Sequence, residues 1–364
     1  MNLICYMQPQ RGGGVARHAA EMVRGLYTRP GVNVSLLASG TDMRRNPQFM
    51  ARLRGVPTMP LALPGTLRER IWKLAHWPPL TGRCRGFDAI YSPAEVRFPE
   101  CGAPQLVTVH DVQALEDNLP WSGTPQHRAF RHKWMRWLPK VVREADRILT
   151  VSEFSKKRIV TLLDAPASRV VVVGNGVSSA FLASSSDTPP EPRPTVVVIG
   201  GLREKKGAAA TLGVAAEMRR RRLPFTVEVF GQHDAAWAQE AAAHPNVNLH
   251  GYASDEVIAD ALRSSTALLF LSPYEGFGIP AVEAMAAGTP AVVANAASLP
   301  EIVGDAGLVV NPDEPEAIVD LLARLMDDSV WRNEWVAKGR ARAAEFTWDR
   351  CVDKLVATLR EVTA

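Results

Sequence analysis

A chain of 364 residues with 46% apolar and 22% charged residues has the composition of an ordinary globular protein and the length for two cores. No apolar run approaches the ~20 residues that cross a bilayer, and Met1-Asn-Leu-Ile-Cys-Tyr6 leads directly into a strand, which argues against a signal peptide. The net charge of +4 conceals a division: residues 1–180 hold 25 Lys and Arg against 13 Asp and Glu, or +12, and the remainder is −8.

The first half alternates strands and helices. Asn2–Met7 reads as a strand, Gln8–Gly14 as a glycine-rich loop and Val15–Tyr27 as a helix. Strands follow at Val32–Leu37, Asp88–Tyr91, Gln105–Val109, Arg147–Val151 and Val170–Val173. Strands separated by helical patterns imply βαβ units and a parallel sheet. The Ser/Pro-rich run Ser184–Pro194 has too little apolar surface to pack and reads as an interdomain linker. The pattern restarts at Thr195–Ile199, with strands at Thr226–Phe230, Val247–His250, Ala267–Leu271 and Ala291–Val293. The expected fold is α/β, two doubly wound parallel sheets with ligands held at the strands' C-terminal ends. Thr347 is placed to N-cap a last helix whose apolar Trp348, Cys351, Val352, Leu355, Val356, Leu359 and Val362 recur at i, i+3 and i+4. The expected domains are residues 1–180 and 195–345, with the helix 346–364 packing back on the first.

Chemistry concentrates in Ser272–Pro290, between a buried strand and a helix. Pro280 suits the first helical turn, and Gly288 is a natural terminator. Glu275 falls in the loop, and Glu283 is expected in the helix's first turn. Gly276 and Gly278 let the backbone approach a ligand closely, while the helix start offers free N–H groups to an anion. Backbone donors for phosphate and two acids for hydroxyls suit a sugar joined to a nucleotide.

Other residues carry weaker signals. Cys5, Cys84, Cys101 and Cys351 form no Cys-x-x-Cys pair and read as reduced thiols of a cytoplasmic protein. Gly12, Gly13 and Gly14 sit between strand and helix, but Arg17 occupies the place of the last glycine of a dinucleotide fingerprint. His110 and Asp111 end the strand Gln105–Val109. No Asp-x-Asp occurs, which disfavours a metal-held diphosphate.

Taken in order, Gly12–Gly14, Val109-His-Asp111, Val151-Ser-Glu-Phe-Ser-Lys156, Gly174-Asn-Gly176, Lys205-Lys-Gly207 and the Glu275–Glu283 segment resemble the retaining glycosyltransferases of family 4. That resemblance covers nearly the whole chain and implies the GT-B architecture, two Rossmann-like domains facing a cleft. It implies that Glu283 holds the nucleotide ribose, and that Glu275 with the backbone N–H groups of Phe277, Gly278 and Ile279 holds the transferred sugar. Lys206 and Lys205 would neutralise the diphosphate, Gly13 and Gly14 would approach the donor, and His110 would act beside the sugar. Much of the family has arginine where this chain has Gly201. Another branch carries arginine at the place of Lys205, so the resemblance assigns the second cation there, with Arg203 in reserve.

The implied reaction moves a hexose with retention, without a metal, by front-face attack through an oxocarbenium-like transition state. The resemblance to mannosyltransferases of surface polysaccharides makes GDP-mannose the first donor to test, with UDP- and dTDP-sugars open. Trp72–Trp77 and Arg128–Lys140 mix tryptophan with cations. With the charge of the first half, they point to an anionic membrane surface at the inner face of the cell membrane and a lipid-linked saccharide acceptor, not to nucleic acid. A nucleotide-sugar epimerase and an inactive sugar-nucleotide-binding module are the rival readings.

Overall fold

The computed structural model describes residues 1–6, 13–39, 43–44, 47–61, 67, 70–72, 82–97, 102–182 and 193–364, without the Gln48 side chain. Most of the glycine-rich loop, including Gly12, and nearly all of the linker lie outside the described residues. The chain forms two units, Met1–Asp117, Ser122–Gly176 and Thr347–Ala364 in one, Asn118–Trp121 and Val177–Phe346 in the other.

In the N-terminal unit, β1 (Asn2–Tyr6), β2 (Asn33–Ser39), β3 (Thr58–Leu61), β4 (Ala89–Ser92), β5 (Gln105–Thr108), β6 (Arg147–Thr150) and β7 (Val170–Val172) form one sheet. Its order is β3-β2-β1-β4-β5-β6-β7, and the paired strands run parallel. The helices α1 (Gly14–Thr28), α2 (Pro47–Arg52), α3 (Pro125–Met135), α4 (Leu138–Glu144) and α5 (Glu153–Leu163) accompany it. Alternation along β1 serves two cores. Leu3 and Cys5 join one cluster with α1, and Ile4 and Tyr6 join another with Trp72.

The C-terminal unit repeats the plan. Strands β8 (Arg193–Ile199), β9 (Thr226–Phe230), β10 (Val247–His250), β11 (Ser265–Phe270), β12 (Ala291–Ala294) and β13 (Leu308–Val310) run in the order β10-β9-β8-β11-β12-β13. Helices α6 (Ala208–Arg220), α7 (Ala235–Ala241), α8 (Asp255–Arg263), α9 (Ile279–Ala287), α10 (Leu299–Val303), α11 (Pro315–Asp327) and α12 (Ser329–Ala343) complete it. In both sheets the chain winds outward to one edge, then restarts on the other side of the first strand. The crossover points are β1/β4 and β8/β11, where a doubly wound sheet binds ligands.

Three sequence expectations need correction. β3 and β13 were not expected: β3 is short and interrupted by Pro60, which an edge strand tolerates, and β13 is an edge strand of only three residues, Leu308-Val-Val310. Pro194 belongs to β8 rather than to the linker. It sits where the β8–β11 register shifts between Ser265 and Ala267, a bulge that spares it a ladder hydrogen bond. Trp72, read as part of a cationic aromatic surface, is only 2% exposed and packs edge-on against Tyr6.

The last helix, Trp348–Thr363, belongs to the N-terminal unit. Thr347 caps it by accepting from the Arg350 N–H at 3.3 Å, and Cys351, Val352, Leu355, Val356 and Leu359 enter the core shared with α1. Two glycines permit this close docking: a Cβ at Gly25 would collide with Val352, and one at Gly176 with the Trp348 backbone. Arg29 adds ion pairs to Asp349 and Asp353 at 3.0 and 2.9 Å. Among the described residues no helix is long and apolar enough to cross a membrane.

Leu355 is fully buried in this seam. Leu355→Ala should cost about 2–5 kcal/mol, seen as an earlier denaturation midpoint with the secondary structure retained.

Candidate functional site

The β8/β11 crossover brings two loops side by side. After β8 the chain passes Gly200 and Gly201, makes a 3-10 turn over Glu204–Lys206, and reverses at Gly207 with φ 74°. Gly207 slides under the Leu271 carbonyl, where any Cβ would collide. Ser272, fully buried, donates to the Lys205 carbonyl at 2.9 Å, so the loop after β11 is fastened to the loop after β8. The result is an ion pair between Lys206 Nζ and Glu275 Oε1 at 2.5 Å, with the two side chains 24% and 14% exposed. Lys206 reaches it over the Phe270 ring, 5.8 Å from the centroid.

Gly201 explains its own departure from the family pattern. It adopts φ +79°, and any side chain there would strike the Gln232 carbonyl, so an arginine has no room. Of the two candidate second cations, Lys205 is exposed, with its ammonium 5.7 Å from the Trp121 ring, while Arg203 Nε donates to the Gly200 carbonyl at 3.2 Å.

The loop that follows Glu275 is shaped from behind. The buried Ser298 hydroxyl lies 2.9 Å from the carbonyls of both Glu275 and Phe277, and it donates to them. Gly278 takes φ +101° as the N-cap of α9, and a Cβ there would stand 2.6 Å from Leu299. As a glycine, this N-cap has no side chain of its own to satisfy the first N–H groups of α9. Glu283 is the fifth residue of α9 rather than part of its first turn, and is only 3% exposed. It therefore opens the second turn, one position further in than a helix starting at Pro280 would place it.

The remaining predicted residues belong to the N-terminal unit. Gly13 precedes α1 with φ 88° and open space around it, and Gly14 is the first helical residue. His110 lies two residues beyond the end of β5. It is 8% exposed, its Nε2 meets the Pro93 carbonyl at 3.0 Å, and its own carbonyl accepts from Ser155 at 3.2 Å. The structure thus groups Lys205, Lys206, Glu275, Phe277, Gly278, Ile279 and Glu283 on one sheet and Gly13, Gly14 and His110 on the other.

Sequence reasoning passed over His18, Tyr91, Ser272 and Ser298. His18 is fully buried on the apolar face of α1, its ring edge-on to His110 with centroids 4.7 Å apart. Its one legible signal was a histidine among the alanines of an apolar stripe. Burial, then the neighbouring His110, pushes its pKa down to about 3, against the hydrogen bond it donates to Asn175, which raises it. Among the described residues no cluster of three or more His, Cys, Asp or Glu side chains is placed to hold a metal ion.

Two family models together span most of the chain, Glycosyltransferase Family 4 over residues 12–181 and Glycosyl transferases group 1 over residues 180–342. The O-antigen chain mannosyltransferase B of Escherichia coli is 30% identical over 289 residues, 74% of this chain and 73% of that protein. The chain belongs to glycosyltransferase family 4. The transferase is also 28% identical over 305 residues to the MMP alpha-(1->4)-mannosyltransferase of Mycolicibacterium hassiacum, 78% of this chain and 73% of that one. A solved glycosyltransferase from Rickettsia africae matches with a TM-score of 0.72 at 15% identity, covering 99% of this chain and 98% of its own. Anabaena HepE in complex with UDP-glucose matches at 0.70 and 18%, covering 99% and 100%. These structural likenesses establish the two-domain GT-B fold.

The buried His18 ties the transferase's stability to pH. Unfolded, His18 takes up a proton below about pH 6.5; folded, it resists until about 3. Protonation therefore favours the unfolded chain, and stability contributed by neutral His18 is lost as pH falls from about 6.5 towards 3, by at most about 1.4 kcal/mol per pH unit. Its titratable neighbours are His110 and Tyr91. Denaturation midpoints at pH 7 and 5 should converge in His18→Phe relative to the parent.

Proposed function

We propose that this transferase moves mannose from GDP-mannose to a hydroxyl of a lipid-linked saccharide, with retention of the sugar's α configuration and without a metal ion. The observation that carries this reading is the Lys206–Glu275 pair at the β8/β11 crossover. A cation and a carboxylate are fastened within one hydrogen bond of each other, beside an α9 N-terminus whose N-cap is a glycine. A nucleoside-diphosphate sugar presents the matching groups, an anionic diphosphate for Lys206 and sugar hydroxyls for Glu275. The curated names of the relatives, mannosyltransferases of O-antigen and of MMP, support the choice of sugar.

In the proposed reaction the bond from the anomeric carbon to the diphosphate oxygen breaks as the bond to the acceptor oxygen forms on the same face. The acceptor's proton passes to the departing diphosphate oxygen. Lys206, with Lys205 as second cation, stabilises the negative charge growing on the leaving group, which lowers the barrier directly. Glu275 orients the sugar and offsets the positive charge of the oxocarbenium-like transition state. Backbone N–H groups of Phe277, Gly278 and Ile279 assist it, Glu283 holds the ribose hydroxyls, and Gly13 and Gly14 let the backbone approach the donor. His110 hydrogen-bonds a sugar hydroxyl.

The acceptor proposal rests on α3. Phe130 and Met135 are 40% and 47% exposed on this helix, among exposed Arg128, His132 and Lys133. Trp134 and Trp137 instead pack partly buried on the core. Exposed apolar groups among cations suit an anionic bilayer surface, and the proposed location is the cytoplasmic face of the cell membrane.

Glu275→Gln and Lys206→Ala should each lower kcat by about 100-fold or more, with both proteins folded by circular dichroism. Transfer by Glu275→Gln at the parent rate would refute this mechanism. A thermal-shift series with GDP, UDP and dTDP should give the largest rise with GDP; a larger rise with another nucleotide would reassign the donor. The parent chain should co-sediment with anionic vesicles at low salt and be released at high salt. Absence of binding at low salt would remove the membrane from the proposal.

A further inference from the structure

A chain of buried polar groups in the N-terminal unit has no part in the proposed contacts to the sugar. His18 Nδ1 stands 2.8 Å from Asn175 Oδ1, an acceptor, so that nitrogen carries the proton. The neutral ring then has its lone pair on Nε2, which accepts from the Tyr91 hydroxyl at 3.4 Å. The Tyr91 oxygen in turn accepts from the Thr108 hydroxyl at 3.3 Å, at the end of the strand that leads into His110. His18, Tyr91 and Thr108 are all fully buried, and Asn175 is 4% exposed.

This chain abuts His110. The two imidazole planes stand at 87°, and Trp348 approaches His18 from another side, centroids 6.0 Å apart. His110 Nε2 faces the Pro93 carbonyl, which can only accept, so Nε2 bears the proton and Nδ1 is left as the ring's acceptor. A phenylalanine would fill the space of His18 without burying polar atoms, which are costly unless paired. The histidine supplies something a hydrocarbon ring does not. It is a polar neighbour held in one tautomer by Asn175 and Tyr91, and so presents one fixed ring edge to His110.

We propose that His18, oriented by Asn175 and Tyr91, is a positioning residue: its edge-on ring holds the plane of the His110 imidazole, so that Nε2–H stays on the Pro93 carbonyl and Nδ1 is left as the acceptor for a hydroxyl of the donor sugar. The proposal rests on the reading above that His110 meets that sugar. It assigns a task to the Gly174-Asn-Gly176 motif, whose asparagine anchors the ring behind His110 while Gly176 makes room for the Trp348 backbone.

The test uses the full chain labelled with 15N-histidine, read by long-range proton–nitrogen correlation spectra and by transfer kinetics. The parent should show His110 as one Nε2–H tautomer. His18→Phe should yield a mixture of tautomers and lower kcat about tenfold, the equivalent of one misplaced hydrogen bond, with the donor KM within about twofold. In the His110→Ala background His18→Phe should bring no further loss, since it acts through His110. Tyr91→Phe removes a single oxygen and provides the same comparison where His18→Phe does not fold.

An unchanged His110 tautomer in both variants overturns the proposal. So do losses that multiply in the double variant, the signature of a merely structural residue. If His110→Ala transfers at the parent rate, the contact of His110 with the sugar is lost from the mechanism, while the tautomer spectra still decide whether His18 positions the ring.

Discussion

The Lys206–Glu275 ion pair is the constraint to which the C-terminal unit is built. Its members come from loops after two strands that are neighbours in the sheet but far apart in the chain, β8 and β11. Everything around the pair holds those loops together. Gly207 takes a left-handed conformation under the Leu271 carbonyl, Ser272 ties the Lys205 carbonyl, and Ser298 restrains the carbonyls of Glu275 and Phe277. A partly buried pair of this kind contributes little net stability, because desolvation offsets most of the attraction. Its place is what matters: two opposite charges, both partly shielded from water, sit at the crossover of a doubly wound sheet, where such sheets bind ligands.

The N-terminal unit uses the same winding with different chemistry. Its polar centre is neutral: His18, Asn175, Tyr91 and Thr108 are linked by hydrogen bonds behind His110 and have no ion pair among them. Burial keeps His18 uncharged, and burial likewise raises the Tyr91 hydroxyl well above the usual range. The last helix closes this arrangement. Its start sends Trp348 against His18, and its apolar face fills the core beside α1, where Gly25 lets Val352 approach. A segment that follows the second unit in the chain thus completes the core of the first.

How much was legible depended on the kind of signal. The central strands were readable because both faces are buried, which makes their sequences continuous apolar runs; the edge strands β3 and β13 were not, one being broken by Pro60 and the other only three residues long. Lys206 and Glu275 stood out through local spacing, and the structure pairs them. Glu283 was placed too shallow because α9 starts at Ile279, after a glycine N-cap that spacing from Pro280 does not reveal. The loss of the family's arginine at Gly201 was visible as a departure, but its cause, the Gln232 carbonyl, belongs to another loop. His18 was hidden most fully, since a histidine on an apolar helical face has no partner until other elements are folded against it.

By itself the sequence determined the alternation of strands and helices, the two-sheet architecture, and the last helix with its Thr347 cap. These follow from periodicity, turn residues and motif spacing, all of which are local. Only the tertiary structure decided that Lys206 and Glu275, 69 positions apart, share a hydrogen bond. It alone decided that Asn175 reaches His18, and that Gly207 must lack a side chain. The physical reason is that strand order and loop contact are set by packing both faces of a sheet at once, a condition that no single segment of chain carries.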